Sequence, residues 1–345
     1  MKNFPWDKNI YIIAEAGVNH NGNFYLAKKM IKKAKDAGAD AIKFQTWVEG
    51  ELTGKYTKKI GYVKRNFKTK LSRYEITNKL ALSFKEFEKL KKYSQKCKID
   101  FLTTPCGEIS LNFIADILKV PYIKIGSSFL NNLSFLKKVI KKNRPILLST
   151  GMSSFDEVAK SIKTIKSKSK KNIPLVVFQC TSEYPCSADN MNLNVIKTYK
   201  KHFKNTIIGL SDHSLGGEAG VASVALGAKV IEKHFTLNKK FNGPDHIASL
   251  DFKELFEFIK SIRTAEKMMG SFIKKPTISE KKIIPQTRIG IVAKKELKKG
   301  SLLKLSDIAF KRPATGFSMN KVDNIVGKKI KRNLKKDEPI KRRHI

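Results

Sequence analysis

The feature that most constrains the fold of this chain is a regular alternation of short apolar runs with segments of helical periodicity. Eight apolar runs lie at residues 10–14, 41–45, 99–103, 121–125, 145–149, 174–180, 206–210 and 229–235. Helical patterns lie between them, including 24–37, 84–97, 108–118, 154–166, 190–203 and 217–226. Eight successive β/α units predict a closed (β/α)8 TIM barrel of the α/β class, with a doubly wound open sheet as the main alternative.

The length of the chain leaves room for a second, smaller domain. A (β/α)8 barrel takes about 250 residues, and the chain has 345. After a helical pattern at 252–269 comes the polar, Pro-containing stretch SFIKKPTISEKKIIPQT, and from Arg288 the pattern changes to short β-like runs with Gly and Pro turns. We therefore expect a barrel at 1–270, a linker at 271–287 and a separate domain at 288–345.

The net charge of +40 raises the question of a polyanionic partner. Lys outnumbers Arg by 61 to 9, and the Lys residues are spread over nearly every helical segment and loop. A nucleic-acid interface is typically a clustered patch of basic residues on one face. The spread argues against a nucleic-acid partner and favours solvated helix faces that also attract anionic substrates.

No segment predicts export or membrane insertion. The N-terminal stretch MKNFPWDKNIYIIAEAG has too short an apolar run for a signal peptide, and nowhere do about 18 apolar residues run together. The four Cys residues have irregular spacing, with no zinc-knuckle or CxxC pattern. We expect reduced thiols in a cytoplasmic protein without a membrane partner.

One connection, residues 46–83, is too long for an ordinary loop between a strand and its helix. It carries Tyr, Lys and Thr with little apolar periodicity. Long loops of this kind are usually functional. In a barrel we expect it to lie over the face that holds the active site.

Polar side chains stand where each apolar run ends. In a (β/α)8 barrel the chemistry lies at these carboxyl ends, because they converge on one mouth while the strand middles pack in the core. The strand-end residues are Glu15, Asn19, His20, Lys43, Gln45, Thr103, Thr104, Lys124, Ser127, Ser149, Thr150, Thr181, Ser182, Tyr184, Ser211, Asp212, His213 and His234. Any single Ser or Thr could be only a helix cap or a turn residue. Their joint placement predicts a binding site.

Two lysines, Lys43 and Lys124, lie inside otherwise apolar strands, AIKFQ and YIKIG. Buried Lys is rare without an anionic partner, so a phosphate or carboxylate group would satisfy them. The alternative is a Schiff-base aldolase, in which one Lys has a depressed pKa. The pair favours anion binding.

Two histidines, His213 and His234, end the seventh and eighth strands. Their imidazoles could reach one divalent ion from neighbouring strands, although a His that only fills a packing position is more common. No HExxH or Cys pattern supports zinc, so two imidazoles with water and substrate oxygens favour a loosely held Mn²⁺ or Mg²⁺. Asp245 and His246, in NGPDHIASL, are candidates to hydrogen-bond these ligands or a substrate.

Eight segments taken together resemble one family. IIAEAGVNHNG, AIKFQT, KIGS, LLSTGM, QCTSEYP, GLSDHS, EKHFTL and NGPDHIASL are similar, in order and spacing, to the motifs of the sialic acid synthases. The C-terminal segments KRPATGFS and IVGKKIKRNLKKDEPI are similar to the antifreeze-protein-like (SAF) domain of that family. The resemblance therefore covers both expected domains.

The resemblance implies an enzyme that joins phosphoenolpyruvate to an amino-sugar aldehyde. C3 of phosphoenolpyruvate would attack the open-chain aldehyde of N-acetylmannosamine or a related sugar, and phosphate would leave by C–O cleavage to give a nine-carbon, sialic-acid-like keto acid. A legionaminic or pseudaminic acid synthase, acting on a deoxy-diacetamido sugar, is the alternative. A Mn²⁺-like ion on His213 and His234 would polarise the aldehyde oxygen.

The resemblance also assigns roles to single residues. The phosphate and carboxylate of phosphoenolpyruvate would meet Lys43, Thr104, Lys124, Ser127, Ser149, Ser182 and Ser211. Glu15, Gln45 and Tyr184 would contact the sugar or the water that adds to C2, and Glu15 is the candidate for general acid–base catalysis. Asp245 would also contact substrate. Arg312 would reach the sugar in the site of a partner subunit, which implies a domain-swapped homodimer.

Phe129 departs from the family pattern. The family usually has an acidic residue shortly after KIGS, placed to hydrogen-bond the sugar, but here the run is GSSFLNN. A Phe at this place favours a less hydroxylated substrate, such as a deoxy-diacetamido sugar.

Overall fold

The chain divides into two compact units. A computed structural model describes residues 4–169 and 173–345, so the short segments 1–3 and 170–172 of the predicted barrel lie outside the described residues. The large unit is Met1–Gly270, and the small unit is Ser271–Ile345. Each unit has its own apolar core.

The described part of the large unit contains a ring of eight parallel strands. They are β1 (Tyr11–Gly17), β2 (Ala41–Thr46), β3 (Asp100–Pro105), β4 (Ile123–Ile125), β5 (Ile146–Ser149), β6 (Leu175–Cys180), β7 (Ile207–Asp212) and β8 (Val230–His234). The hydrogen-bonded order is β3-β2-β1-β8-β7-β6-β5-β4, and β3 lies against β4, which closes the ring. The predicted (β/α)8 barrel is confirmed. The open-sheet alternative is wrong, because the two end strands of this order, β3 and β4, also lie against each other.

Helices connect the strands and cover the ring. They are Pro5–Lys8, Phe24–Asp36, Gly61–Asn66, Arg73–Lys79, Phe84–Lys96, Glu108–Asn112, Leu133–Lys141, Phe155–Lys168, Val195–His202, Glu218–Leu226 and Phe252–Met269. Several helices begin with a reciprocal pair of hydrogen bonds. The side chain of the first residue accepts from the backbone N–H of a Glu three residues later, and the side chain of that Glu accepts from the backbone N–H of the first residue. The first residues are Ser83, Ser154 and Asp251. Such capping boxes fix where a helix starts, because they satisfy otherwise unpaired N–H groups.

The inside of the ring is apolar at one end and polar at the other. Alternate residues of a strand share a face, so β1 presents Tyr11, Ile13 and then Glu15 to the interior. Tyr11 and Ile13 belong to an apolar cluster at the amino ends of the strands. Trp6 packs there, with its ring 4.9 Å from that of Tyr122 and 5.9 Å from that of Tyr11. The polar groups are therefore confined to the carboxyl ends.

The long connection between β2 and the helix Phe84–Lys96 has a core of its own. Trp47, Val63, Phe67, Ile76 and Leu80 are buried in one cluster. The two helices of this segment have only six and seven residues. Elements this short show little periodicity, which is why the sequence predicted no regular structure there.

The small unit is built on short antiparallel strands. β9 (Gly290–Ala293) pairs with β10 (Ile308–Lys311). Leu297 and Leu334, at matching places in ELKKGSLLK and NLKKDEPIK, exchange two backbone hydrogen bonds of 2.9 Å. Three residues after each Leu, Gly300 and Asp337 both have positive φ, +89° and +65°. The two segments are thus equivalent turns that pair with each other.

The predicted linker contains regular structure. Residues Ile278–Thr287 form a helix, which Thr277 caps by accepting from the backbone N–H of Glu280 at 3.1 Å. The side chain of Glu280 accepts in turn from the backbone N–H of Thr277 at 2.6 Å. This local capping box was not recognised in the polar sequence. Across the described residues, a helix with the length and apolarity to cross a bilayer is not found.

A buried ion pair ties β7 to β8 behind the active-site face. Lys233 and Asp212 are register partners on neighbouring strands, and both side chains are fully buried. Lys233 Nζ lies 2.8 Å from Asp212 Oδ2 and donates to the carbonyl oxygen of Ser214 at 2.6 Å. The other carboxylate oxygen accepts from the backbone N–H of Ser214 at 2.8 Å. The ends of the strands that carry His213 and His234 are thereby fixed to each other.

Replacing Lys233 by Met should destabilise the large unit strongly. The substitution leaves Asp212 buried without its cation, and removing one partner of a buried pair costs about 3–5 kcal/mol. The free energy of unfolding can be measured in urea by tryptophan fluorescence, because both Trp residues, Trp6 and Trp47, lie in this unit.

The matched control is Lys239→Met, which breaks a partly exposed pair with Glu254 at 2.9 Å. Exposed pairs contribute about 1 kcal/mol or less. Equal losses in the two variants would contradict the structural role assigned to Lys233.

Candidate active site

A cavity of about 310 Å³ opens at the carboxyl ends of the barrel strands. Most of the residues predicted from strand ends line it: Glu15, Lys43, Gln45, Thr104, Lys124, Ser127, Ser149, Ser182, Tyr184, Ser211, His213 and His234. Asp245 lines a smaller adjoining cavity. Arg312 is exposed on the small unit. His246 is bonded to Thr236 and Asn21 and lines neither cavity.

Strand alternation explains why these side chains meet. On β2 the inward residues are Lys43 and Gln45, and on β8 they are Glu232 and His234. Gly17, with φ of +50°, leaves space between these strands: a Cβ there would lie 3.2 Å from Glu15 Oε1 and 3.6 Å from the His234 ring. The first, second and eighth strands thus share one wall of the cavity.

The deepest polar feature is a buried cluster of two lysines and two glutamates. Lys43 Nζ lies 2.7 Å from Glu15 Oε2 and 3.6 Å from Glu232 Oε1. Lys124 Nζ donates to both oxygens of Glu232, at 2.8 and 2.9 Å. The anion that the sequence analysis assigned to a ligand is therefore supplied in part by the protein.

Glu232 was missed by the sequence analysis. It lies two residues before His234 on β8, so both side chains point to the same face of the strand. Reading the EKHF segment by strand alternation would have found it. Cys180 was missed as well; its Sγ lies 3.7 Å from Ser127 Oγ and 4.0 Å from His213 Nδ1.

The two glutamates have pKa values shifted in opposite directions. Burial raises the pKa of Glu15 to about 7, against the opposing effect of Lys43. Burial also disfavours the charged form of Glu232, but Lys124 and Lys43 together lower its pKa to about 2. Glu232 is thus ionised throughout the physiological range. Glu15 can take up or release a proton near neutral pH.

The two lysines differ in the same way. Burial lowers the pKa of Lys43, but the carboxylates of Glu15 and Glu232 outweigh it, so the net shift is upward. For Lys124, burial prevails over Glu232 and the pKa is lowered. The positive charge is therefore held most firmly on Lys43.

The two histidines lie side by side, with ring centroids 5.3 Å apart. His213 Nδ1 is 2.6 Å from the carbonyl oxygen of Thr181; if it donates there, the Nε2 lone pair is free. His234 Nδ1 is buried and has no hydrogen-bond partner among the described residues. Burial and the neighbouring His213 hold the pKa of His234 well below its usual range, so its ring is neutral. A neutral imidazole with a free lone pair, as at His234, suits a divalent cation.

Among the described residues, such a site would have these two rings as its ligands. Within 4–169 and 173–345, no three His, Cys, Asp or Glu side chains are grouped so as to hold a metal ion. Oxygen atoms from water or a substrate would have to complete the coordination.

The hydroxyl groups of the cavity are partly unsatisfied. Ser211 Oγ donates to Glu232 at 3.1 Å, and Thr104 accepts from Lys43 at 3.2 Å. Ser127 Oγ accepts from the backbone N–H of Gly151 at 3.0 Å. Ser149 Oγ is buried and has no partner among the described residues. A buried hydroxyl without a protein partner beside a cavity can bond a water molecule or a ligand atom.

The long loop between β2 and β3 reaches this cavity, as expected. Tyr62 of that loop stacks on Tyr184, with centroids 4.9 Å apart, and Tyr184 in turn lies 4.1 Å from the ring of His213. Arg73 also lines the cavity. Phe129 also lines the cavity and packs against Phe135, with ring centroids 4.9 Å apart, so an apolar ring forms part of the cavity wall.

Comparisons with known proteins point to one family. The family description "NeuB family" matches residues 30–274, and a SAF domain matches residues 289–345. The chain is 40% identical to the N,N'-diacetyllegionaminic acid synthase of Campylobacter jejuni, over 97% of this chain and 99% of that protein. It is 36% identical to the human N-acetylneuraminate-9-phosphate synthase, over 96% of this chain and 91% of that protein.

A solved structure agrees with these sequences. The crystal structure of the N-acetylneuraminic acid synthetase of Leptospira borgpetersenii is 33% identical and superposes with a TM-score of 0.71. The match covers 80% of this chain and 90% of that one.

Replacing Glu232 by Gln should make Lys124 more reactive. The change removes a negative charge 2.8 Å from Lys124 Nζ while keeping the shape of the side chain, so the pKa of Lys124 should fall further. More of the amine is then neutral, and its labelling by formaldehyde and borohydride at pH 8 should accelerate several-fold, as measured by mass spectrometry of the peptide.

Glu266→Gln serves as the control, because Glu266 pairs with Arg263 and does not line the cavity. An unchanged rate at Lys124 in the Glu232 variant would show that Glu232 does not hold its charge.

Proposed function

Because the chain belongs to the NeuB family, we propose that it is a transferase that condenses phosphoenolpyruvate with an amino-sugar aldehyde, giving a nine-carbon nonulosonic acid and phosphate. The observation that carries the proposal is the shared cavity, which joins the buried Lys43 and Lys124 on one side to the paired imidazoles of His213 and His234 on the other. The first pair suits an anionic donor and the second an aldehyde oxygen.

The proposed reaction makes one C–C bond and breaks one C–O bond. C3 of phosphoenolpyruvate bonds to the aldehyde carbon, whose oxygen takes up a proton. Water adds at C2, and the bond from C2 to the phosphate oxygen breaks as the C2 keto group forms. One proton of the water goes to the aldehyde oxygen and the other leaves with the phosphate. Negative charge develops on the aldehyde and phosphate oxygens, and preorganised cations stabilise such charge most effectively where water is excluded.

The lysine and glutamate cluster supports binding of the donor. Lys43 and Lys124 both line the cavity, so their ammonium groups can face the phosphate or carboxylate of a bound donor. The unpartnered hydroxyl of Ser149 adds a donor at the same place. We assign the phosphate and carboxylate of phosphoenolpyruvate to this part of the cavity, together with the hydroxyl groups of Thr104, Ser127, Ser182 and Ser211.

Glu15 is proposed as the general base. Its carboxylate lines the cavity beside Gln45 and His234, and its pKa of about 7 suits a group that exchanges a proton near neutral pH. Lys43, at 2.7 Å, stabilises the ionised form and orients it.

A divalent ion, Mn²⁺ or Mg²⁺, fits the two imidazoles. His213 and His234 would hold it through nitrogen atoms that no described residue occupies, with oxygen ligands from water and substrate. When bound, such an ion polarises the aldehyde carbonyl.

The Schiff-base alternative is less compatible with the site. It needs a neutral amine, and burial does lower the pKa of Lys124. Both oxygens of Glu232 accept from Lys124 Nζ at 2.8 and 2.9 Å, however, and these bonds oppose loss of the proton and occupy the nitrogen.

We propose Gln45, Tyr184 and Asp245 as the contacts of the sugar. Phe129 in the cavity wall supports an acceptor with fewer hydroxyl groups, such as a deoxy-diacetamido sugar in place of N-acetylmannosamine. The relatives named as N,N'-diacetyllegionaminic acid synthases, 40% and 38% identical, point the same way.

We also propose a homodimer in which Arg312 acts in the site of the partner subunit. The support is its exposure on the small unit. A cytoplasmic location is proposed from the four free cysteines, since a reducing compartment keeps thiols unpaired.

The test is phosphate release with phosphoenolpyruvate, Mn²⁺ and a panel of acceptors: N-acetylmannosamine, its 6-phosphate and 2,4-diacetamido-2,4,6-trideoxymannose. We expect release that depends on one acceptor and stops when the metal is chelated. His213→Ala should lower this turnover by at least about 100-fold, since metal ligation and aldehyde activation are lost together.

A variant with the surface change His202→Ala is the control, because His202 lies on a helix away from the cavity. Absence of phosphate release with every acceptor would refute the proposed function. Full activity of His213→Ala would refute the metal assignment alone.

The pH profile tests Glu15 as the base. Its ionised form, which accepts a proton from water, becomes populated as the pH rises through about 7, so kcat/KM should rise with pH and level off above that value. Glu15→Gln should be slower by about 10²- to 10⁴-fold and should lack this step. The measurement is kcat/KM from initial rates between pH 5.5 and 9. The control is Glu49→Gln, an exposed substitution in the long loop, which should still show the rise of kcat/KM through about pH 7.

A further inference from the structure

The positive charge of the chain is denser on the small unit than on the large one. Residues 271–345 hold 22 of the 70 Lys and Arg residues, but only six of the 30 Asp and Glu residues. Part of this charge lies on one two-stranded ribbon of the small unit, which takes no part in the proposed chemistry.

The ribbon is formed by residues 297–304 and 325–336, and we call it the cationic ribbon. Leu297 and Leu334 exchange backbone hydrogen bonds at one end, and Leu302 and Lys329 are antiparallel bridge partners further along. Near the other end, the backbone N–H of Gly327 donates to the carbonyl oxygen of Leu303 at 2.8 Å. The inward side chains belong to the core of the small unit: Leu297, Leu303, Ile325, Ile330 and Leu334. One face of the ribbon is therefore buried, and the other faces solvent.

The solvent face of the cationic ribbon carries nine positive side chains. They are all exposed: Lys298, Lys299, Lys304, Lys328, Lys329, Lys331, Arg332, Lys335 and Lys336. Neither segment contains Asp or Glu. Of the ion pairs among the described residues, one alone involves the ribbon, and it joins Arg332 to Glu338. Eight charges are thus left without a carboxylate partner there, and such a surface attracts a partner with many negative charges.

Exposed apolar side chains lie among these cations. Leu302, Leu305 and Val326 are 60%, 61% and 38% exposed. Leu302 is the bridge partner of Lys329, and Leu305 and Val326 lie within two residues of the hydrogen-bonded pair of Leu303 and Gly327. Large apolar side chains that are grouped on an exposed surface mark an interaction site.

We infer that the cationic ribbon docks the protein on an anionic lipid surface. The lysines lie at the level of the lipid phosphate groups, and Leu302, Leu305 and Val326 enter the boundary between the headgroups and the acyl chains. The inference goes beyond the proposed function and does not depend on it. A surface contact needs no membrane-spanning segment, so it revises the expectation of a chain without a membrane partner, which rested on the lack of a long apolar run.

A nucleic acid fits the cationic ribbon less well, although a two-stranded ribbon can enter the major groove of DNA. Base contacts favour Arg, and base stacking uses aromatic side chains. Arg332 is the one Arg among the nine cations, and the two segments contain no aromatic residue. The exposed leucines would meet a phosphate backbone without a partner. A lipid surface engages both the lysines and the apolar side chains.

The first test is sedimentation of the full chain with vesicles at about 0.15 M salt. We expect binding to vesicles of phosphatidylcholine with about one third phosphatidylglycerol, and none to vesicles of phosphatidylcholine alone. Lys329→Glu combined with Lys331→Glu should weaken binding by at least about 100-fold, because each basic residue near an anionic surface contributes about fivefold in affinity and a reversal removes that contribution twice.

The matched control is Lys163→Glu combined with Lys168→Glu, on the helix Phe155–Lys168 of the large unit. Both lysines are exposed, and the change in net charge is the same. This variant should bind within about threefold of the wild type, because a charge outside the contact is largely screened at this salt concentration. Equal weakening in the two double variants would show that net charge alone attracts the vesicles, and would overturn the inference.

Leu302→Ser combined with Leu305→Ser separates a lipid surface from other polyanions. Both side chains are mainly exposed, so the fold should be kept, which thermal melting followed by circular dichroism checks. Vesicle binding should weaken by at least about 10-fold, because two inserted side chains are lost, while binding to a DNA duplex should not change. Vesicle binding that is unaffected in this variant, or duplex DNA that binds the wild type more tightly than the anionic vesicles do, would contradict a lipid surface as the partner.

Discussion

The buried charge cluster of Lys43, Lys124, Glu15 and Glu232 is the constraint on which the site depends. Ionised groups are costly to bury unless they are paired, and these four are almost fully removed from solvent. Their pairing requires β1, β2, β4 and β8 to present their inward residues at matching heights, which the ring of parallel strands provides. The closed barrel is therefore a condition for the chemistry as well as a scaffold. It also explains why the two glutamates, in one cluster, have pKa values on opposite sides of the ordinary range.

Much of the fold could be predicted from the sequence because the barrel repeats one pattern. Each apolar run that the sequence showed became a strand, with ends shifted by a few residues, since a strand buried on both faces reads as a continuous apolar run. The two helices of the loop 46–83 and the helix Ile278–Thr287 were not predicted. All three are short, and capping boxes at Ser72 and Thr277 mark the start of two of them, where apolar periodicity gives little signal.

In the candidate site, too, some residues could be predicted from the sequence and others could not. Residues at strand ends could be predicted, because topology alone brings them together. Glu232 lies within β8, two residues before the strand-end residue His234. It could have been predicted only by noting that alternate residues of a strand share a face. Arg73 and Tyr62 could not be predicted, because they reach the cavity only through the tertiary fold of the loop around Trp47 and Val63. The roles of the strand-end residues were proposed from a family resemblance, and the geometry adds the physical reason why those residue types are placed there.

Trp6 gives the barrel interior a closed floor. It packs against Tyr11 and Tyr122 at the amino ends of the strands, and the charged cluster lies above that apolar layer. The active-site cavity is closed at this end, so every molecule must enter and leave through its opening at the carboxyl ends of the strands. A donor that reaches Lys43 and Lys124 has to pass the place where the sugar would lie against Tyr184 and Asp245. With donor and sugar placed as proposed, this geometry would impose an order of events: the three-carbon donor would enter first, the sugar would cover it, and the group bound deeper would leave only after the opening has cleared.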